Sequence, residues 1–201
     1  MIINSIHRLI DLGISAQLII IGNGPEYSNF QQQAQQLGIQ DRVHLLGEQT
    51  NVAGLLRGGI DLFVSAARDE AFGLALAEAS LCQLAVVAPA VGGIPNVIKN
   101  GLTGLLIPAQ NITSLTQSIC RLYYSPKLRI AMGKAGRRHV LSHFRIQRYV
   151  QQFEQLYSCI LQNSSMHMHW FSHWNFTKPI MNITKRLPYL VLNQLNKEAA
   201  L

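Results

Sequence analysis

Apolar residues recur along the chain with two periods, and the switches between them outline the architecture. Ile2, Ile3, Ile6, Leu9 and Ile10 repeat at helical spacing and Gly13 follows as a stop signal, so the chain opens on an amphipathic helix. The continuous apolar run Leu18 to Ile21 then reads as a buried strand ending in the tight Gly22-Asn23-Gly24-Pro25 turn. Pro25 suits the first position of a helix reaching Leu37. The alternation repeats, with strands predicted at Val43 to Leu46, Ile60 to Val64, Leu84 to Ala88 and Gly104 to Ile107. Helical segments fall between them at Val52 to Arg57, Phe72 to Leu81 and Ile94 to Lys99. Strands alternating with helices predict an α/β fold, a parallel sheet covered on both faces.

From Ile112 the pattern becomes wholly helical, with helices to Tyr124, from Pro126 to Val140 and from Ile146 to Leu161. They form a C-terminal helical cap on the α/β unit. After Gln162 the composition changes to Asn163-Ser164-Ser165, then to a Met-, His- and aromatic-rich stretch with a short apolar run from Leu187 to Leu195. The expected organisation is one domain over 1–161 and a poorly specified tail over 162–201.

Composition narrows the class. At 201 residues, 48% hydrophobic and 13% charged, the chain can bury one core. No apolar run approaches the roughly 20 residues that span a bilayer, and Arg8 and Asp11 interrupt the first twenty positions, so neither signal peptide nor membrane helix is expected. The expectation is a cytoplasmic protein. Cys82, Cys120 and Cys159 show no CxxC spacing and read as buried free thiols. His167, His169 and His173 have no Cys or carboxylate to complete a ligand set, so no metal is expected.

Charge is divided between the halves. Residues 1–100 hold five basic and eight acidic side chains, whereas residues 101–201 hold twelve and two. Between Arg121 and Arg148 eight basic residues occur without an acid, which suits peripheral contact with anionic lipid or another anionic partner as well as it suits a solvated face. Nucleic acid is not expected, because no aromatic residues interleave as a stacking platform.

The chemistry concentrates in Ser65-Ala-Ala-Arg-Asp-Glu70-Ala-Phe-Gly-Leu-Ala-Leu-Ala-Glu78-Ala79. Glu70 falls in the loop after a strand and Glu78 in the following helix. At about 1.5 Å per residue they stand roughly 12 Å apart along the axis, the reach of a sugar plus a diphosphate. Backbone N–H groups at the helix start, near Phe72, Gly73 and Leu74, make an anion site, and Gly73 allows close approach. Carboxylates accept paired hydrogen bonds from hydroxyls, so Glu78 suits a ribose diol and Glu70 a transferred sugar. Spacing alone is equally met by a helix-capping acid and a solvent-facing Glu78.

The order and spacing of Gly22-Asn-Gly-Pro25, Gly47, Glu70-Ala-Phe-Gly73, Val91-Gly-Gly-Ile-Pro95 and Gly101-Leu-Thr-Gly-Leu-Leu-Ile-Pro108 resemble the carboxyl-terminal domain of group 1 glycosyltransferases, the retaining GT-B enzymes similar to glycogen synthase. The resemblance covers residues 2 to 160. It implies a Rossmann-like doubly wound parallel sheet, half of a GT-B fold. Within its E-x7-E motif, Glu70 would contact the donor sugar near the reacting carbon and Glu78 the nucleotide ribose. Amides of Phe72, Gly73 and Leu74 would bind sugar and phosphates, and the turn of Gly22 and Gly24 would lie close to the nucleotide. The implied reaction transfers a sugar from a UDP- or GDP-linked donor to an acceptor with retention and no metal cofactor. A lone Gly-x-Gly without a third glycine is no dinucleotide fingerprint.

Departures from the family pattern bear on activity. The chain begins after the family's Arg-Lys pair and first strand, so a sheet ordered 3-2-1-4-5-6 would open between the strands at Leu18 and Ile60. Ala66-Ala67 replace Pro-Ser, Gln83 and Ala85 replace a Gly and a Pro after the motif helix, and Asn96 replaces an acid. Two expectations follow. The chain is a sugar transferase domain that needs an amino-terminal acceptor domain from a partner chain, or it is a non-catalytic nucleotide-sugar-binding module or truncated remnant.

Overall fold

The computed structural model describes residues 1–163. The expected tail beyond Asn163, with His167, His169 and His173, lies outside the described residues. The described chain runs α1 (Ile2–Asp11), β1 (Leu18–Ile20), α2 (Tyr27–Gln36), a 3₁₀ turn (Gln40–Arg42), β2 (Val43–Leu45), α3 (Val52–Gly59), β3 (Leu62–Val64), α4 (Leu74–Leu81), β4 (Ala85–Pro89), α5 (Ile94–Val97) and β5 (Gly104–Ile107). Helices α6 (Ile112–Tyr123), α7 (Pro126–His143) and α8 (Ile146–Asn163) follow. Met1–Leu141 belong to one compact unit and a second begins at Ser142.

All strand pairs are parallel, and they make two sheets, β1-β2 and β3-β4-β5. The doubly wound arrangement is present but split between β1 and β3. Strand alternation builds a core on each face. Leu18, Ile20, Val64, Ala85, Val87, Leu105 and Ile107 pack with Ile3, Ile6 and Leu9 of α1 and with Leu115 and Leu122 of α6. The opposite faces send Ile21, Phe63, Val86 and Ala88 against Leu76, Ala77 and Ala79 of α4 and Ile94 of α5. Both cores draw side chains from both sheets, so burial joins what backbone hydrogen bonds do not. All five residues of β4 are buried, which is why its sequence reads as a continuous apolar run.

Two starts differ from expectation. α2 begins at Tyr27 because Gly24 to Tyr27 close a turn, Tyr27 N–H donating to the Gly24 carbonyl at 3.1 Å, which leaves Pro25 outside the helix. α4 begins at Leu74 because Gly73, at φ 96°, takes a left-handed conformation that cannot continue a right-handed helix. Cys82 and Cys120 are only half-buried and Cys159 is exposed, which corrects the expectation of buried thiols. Burial pushes the Cys82 and Cys120 thiols up from their ordinary range.

The end of α4 explains one departure from the family pattern. Gln83, just past the helix, has φ 64°, the left-handed position where glycine costs nothing. Gln83→Gly should therefore stabilise the fold by about 1 kcal/mol. Urea denaturation checks this, with a rise in midpoint at unchanged slope expected.

The eight basic residues from Arg121 to Arg148 do not form a uniformly free face. Arg129 donates to Asp61 and to the Leu122 carbonyl, Arg137 to the Leu81 carbonyl and Arg148 to the Ser142 carbonyl. Among the described residues, no helix is long and apolar enough to cross a membrane.

Candidate functional site

In an open parallel sheet the crevice lies outside the carboxyl ends of the strands, where the strand order reverses. Here the strands form two sheets, β1-β2 and β3-β4-β5, and in a doubly wound order that point falls between β1 and β3. The loops after β1, β2, β3 and β4 all leave the strands at their carboxyl ends. The first two are tied together: Gly22, after β1, donates its N–H to the Gly47 carbonyl, after β2, at 2.7 Å. Gly22 is buried and Gly24 half-buried, so the turn presents backbone rather than side chain.

The loop after β3 carries Glu70. Ser65 is buried, its N–H bound to the Val87 carbonyl at 2.9 Å and its Oγ accepting from Ala67 N–H at 3.3 Å, which turns the chain out of the strand. Arg68 is exposed, and its guanidinium stands near the amino group of Met1, which burial first and this charge second hold below its ordinary value.

Half-buried Glu70 folds back on the helix start. Its Oε1 accepts from Gly73 N–H at 3.0 Å and Phe72 N–H at 3.3 Å. Two of the amides expected to bind phosphate are thus satisfied by the carboxylate expected to bind sugar. The amides of Leu74, Ala75 and Leu76 have no partner within α4 by helix geometry, and the positive end of the helix points the same way.

The loop after β4 supports this arrangement, and the sequence did not reveal it. Gly93 N–H donates to the Glu70 carbonyl at 2.8 Å. A side chain on Gly92 would strike the Glu70 carbonyl oxygen, and one on Gly93 the Ala71 carbonyl oxygen. The glycine pair of Val91-Gly-Gly-Ile-Pro95 is a seat on which the Glu70 loop rests backbone to backbone.

Glu78 is the only charged residue of α4, whose other side chains are apolar or small. It is half-buried rather than solvent-facing, and lies one turn before Cys82, where its charge adds to burial in raising the thiol while Arg57 and Arg137 act against it. Because α4 starts at Leu74, Glu78 sits just over one turn into the helix. The helical rise applies only to that part of the separation from Glu70. Among the described residues no group of three or more His, Cys, Asp or Glu side chains is placed to hold a metal ion.

The family model for "Glycosyl transferases group 1" matches residues 1–139. N-acetyl-alpha-D-glucosaminyl L-malate synthase of Bacillus anthracis is 37% identical over 150 residues, covering 75% of this chain and 39% of that protein. Sucrose-phosphate synthase of Thermosynechococcus elongatus superposes with a TM-score of 0.69 at 26% identity, over 81% of this chain and 43% of that one. Anabaena HepE in complex with UDP shares the fold, with a TM-score of 0.69 at 21% identity over 78% of this chain and 44% of that one. The 201 residues thus span less than half the length of each of these three proteins.

Proposed function

This chain belongs to the group 1 glycosyl transferases, and from that premise we propose that its first unit is the donor-binding half of a sugar transferase, taking a UDP- or GDP-linked sugar at the carboxyl ends of β1 to β4. The observation that carries this reading is the Glu70 loop, seated on Gly92 and Gly93 and poised over the start of α4 at the split of the sheet. Glu78 would hold the ribose diol, and the free amides of the first turn of α4 together with the Gly22–Gly24 turn would receive the phosphates and nucleotide. Glu70 would bind the sugar. The fold neighbour that carries UDP supports a nucleoside diphosphate in such a crevice.

Transfer to an acceptor, with retention at the anomeric carbon, would need an acceptor-binding domain beyond these residues, in keeping with the share of its relatives that the chain covers. Leaving-group stabilisation by preorganised donors would be the main catalytic term. The alternative, a module that binds the donor without turnover, is favoured by one observation: Glu70 occupies two of the amides a diphosphate would use.

Calorimetry with UDP and with GDP tests the reading. One of the two should bind, and Glu78→Ala should weaken it about tenfold, the loss of hydrogen bonds to a charged acceptor. Binding of neither nucleotide would overturn the proposal.

A further inference from the structure

Helix α7 packs through one side and presents cations on the other. On its inner side Met132, Gly133, Gly136 and Val140 are buried against the end of α4, where a side chain on Gly133 would strike the Gln83 carbonyl oxygen. The opposite side carries Lys127, Ile130, Ala131, Lys134 and Arg138, all exposed, and their three-and-four spacing places them along one stripe. Arg129 and Arg137, on the flanks, are tied to the Leu122 and Leu81 carbonyls. Lys127, Lys134 and Arg138 make no hydrogen bond or ion pair within the described residues. Asp61, an acid that the fold brings to α7, is held by Arg129 at 3.1 Å, and the chain has no acid between Arg121 and Arg148.

Apolar groups share this surface. Ile130, between Lys127 and Lys134, is 53% exposed. At the corner where α6 turns into α7, Tyr123 and Tyr124 are 45% and 69% exposed, their rings edge to face with centres 5.0 Å apart. Tyr124 stands three residues before Lys127, at the start of the stripe.

Unpaired cations around an exposed isoleucine, with tyrosines at one end, combine the two forces that hold a protein at an anionic bilayer. Basic side chains are attracted to the head groups, and apolar or amphipathic side chains enter the interface. Tyrosine suits that depth, because its ring can leave water while its hydroxyl stays wet. A nucleic-acid backbone would use the three cations and gain nothing from Ile130.

We propose that the outer face of α7, with the Tyr123–Tyr124 corner, docks on the surface of an anionic lipid bilayer. The inference is independent of the nucleotide site, and it narrows the basic run of the sequence to three residues on one helix face. Cosedimentation of the full chain with vesicles of phosphatidylcholine alone, and of an equal mixture with phosphatidylglycerol, tests it. Binding should require the anionic lipid and weaken at least about tenfold in roughly 0.5 M salt.

Each basic residue near such a surface is worth roughly fivefold, so Lys127→Gln, Lys134→Gln and Arg138→Gln together should weaken binding on the order of 100-fold with circular dichroism unchanged. The same loss of charge at Arg8, Arg42 and Arg57, outside the stripe, should weaken it less than about threefold. Tyr124→Ser should weaken it about fivefold, and by the same factor in high salt, because the contribution of the ring is not electrostatic. Equal binding to both kinds of vesicle, binding to neither, or equal losses in the two triple variants would rule the docking surface out. Binding of single-stranded DNA as tight as that of vesicles, with no effect of Tyr124→Ser on either, would reject it too and make the stripe a nucleic-acid surface.

Discussion

Gly93→Ala is expected to abolish nucleotide binding and to lower stability by about 3 kcal/mol, the upper end of the cost of overpacking. The added methyl would run into the Ala71 carbonyl oxygen, with the Ala71 carbonyl carbon at 2.9 Å and the Phe72 Cα at 3.0 Å. All three are backbone atoms, so no rotamer change relieves the clash and the loop itself must shift. That loop is bound through Gly93 N–H to the Glu70 carbonyl and through the Glu70 carboxylate to Phe72 and Gly73, so a displacement moves the proposed sugar acid and the helix start together. Gly58→Ala is the matched control, because a methyl there meets nothing within 4 Å and the residue lies in α3. Urea denaturation with parallel nucleotide titration separates the outcomes. Parental affinity in Gly93→Ala would show that the Glu70 loop is not part of the binding site.

How far the sequence foretold the molecule depends on the range of the interaction involved. β5 was legible as Gly104–Ile107, and every described helix but the 3₁₀ turn at Gln40–Arg42 was expected, because apolar alternation is a local consequence of burial on one or two faces. The separation of the strands into two sheets was legible through the family pattern, and β1 and β3 remain unjoined by backbone hydrogen bonds. The start of α4 was misplaced by two residues because the φ of Gly73 is set by the capping turn, which hydrophobic periodicity does not report. Gln83 was visible as a departure but not as a strained cap until its backbone was seen.

The candidate site was legible as a set of residues and not as an arrangement. Glu70, Glu78 and the Gly22 turn are readable from spacing and motif. The contact of Gly92 and Gly93 with the Glu70 loop joins segments about twenty residues apart through backbone atoms, and no side-chain pattern encodes it. The same limit applies to Glu70 itself, whose carboxylate could extend toward a ligand or fold back on its own chain. Linear spacing is satisfied by both.

Glu70→Ala should separate these roles, because they predict opposite signs for two ligands. As a cap, the carboxylate occupies the Phe72 and Gly73 amides at 3.3 and 3.0 Å and competes with a diphosphate for them. Its removal frees two donors, so UDP or GDP alone should bind at least as tightly as to the parent chain, while the fold loses about 1 kcal/mol of capping energy. As the sugar contact, the same carboxylate supplies whatever advantage the nucleotide sugar has over the bare nucleotide, so that advantage should vanish. With an acceptor domain supplied, transfer should fall on the order of 10²–10³-fold, the cost of losing one preorganised group at the reacting centre. Glu70→Gln keeps a carbonyl oxygen able to cap the helix but removes the charge, so it should restore stability without restoring the preference for the sugar-bearing donor. Paired calorimetric titrations of nucleotide and nucleotide sugar against the three chains give the comparison. An unchanged preference in Glu70→Ala would assign Glu70 to capping alone, and with it the donor site would lose its sugar contact.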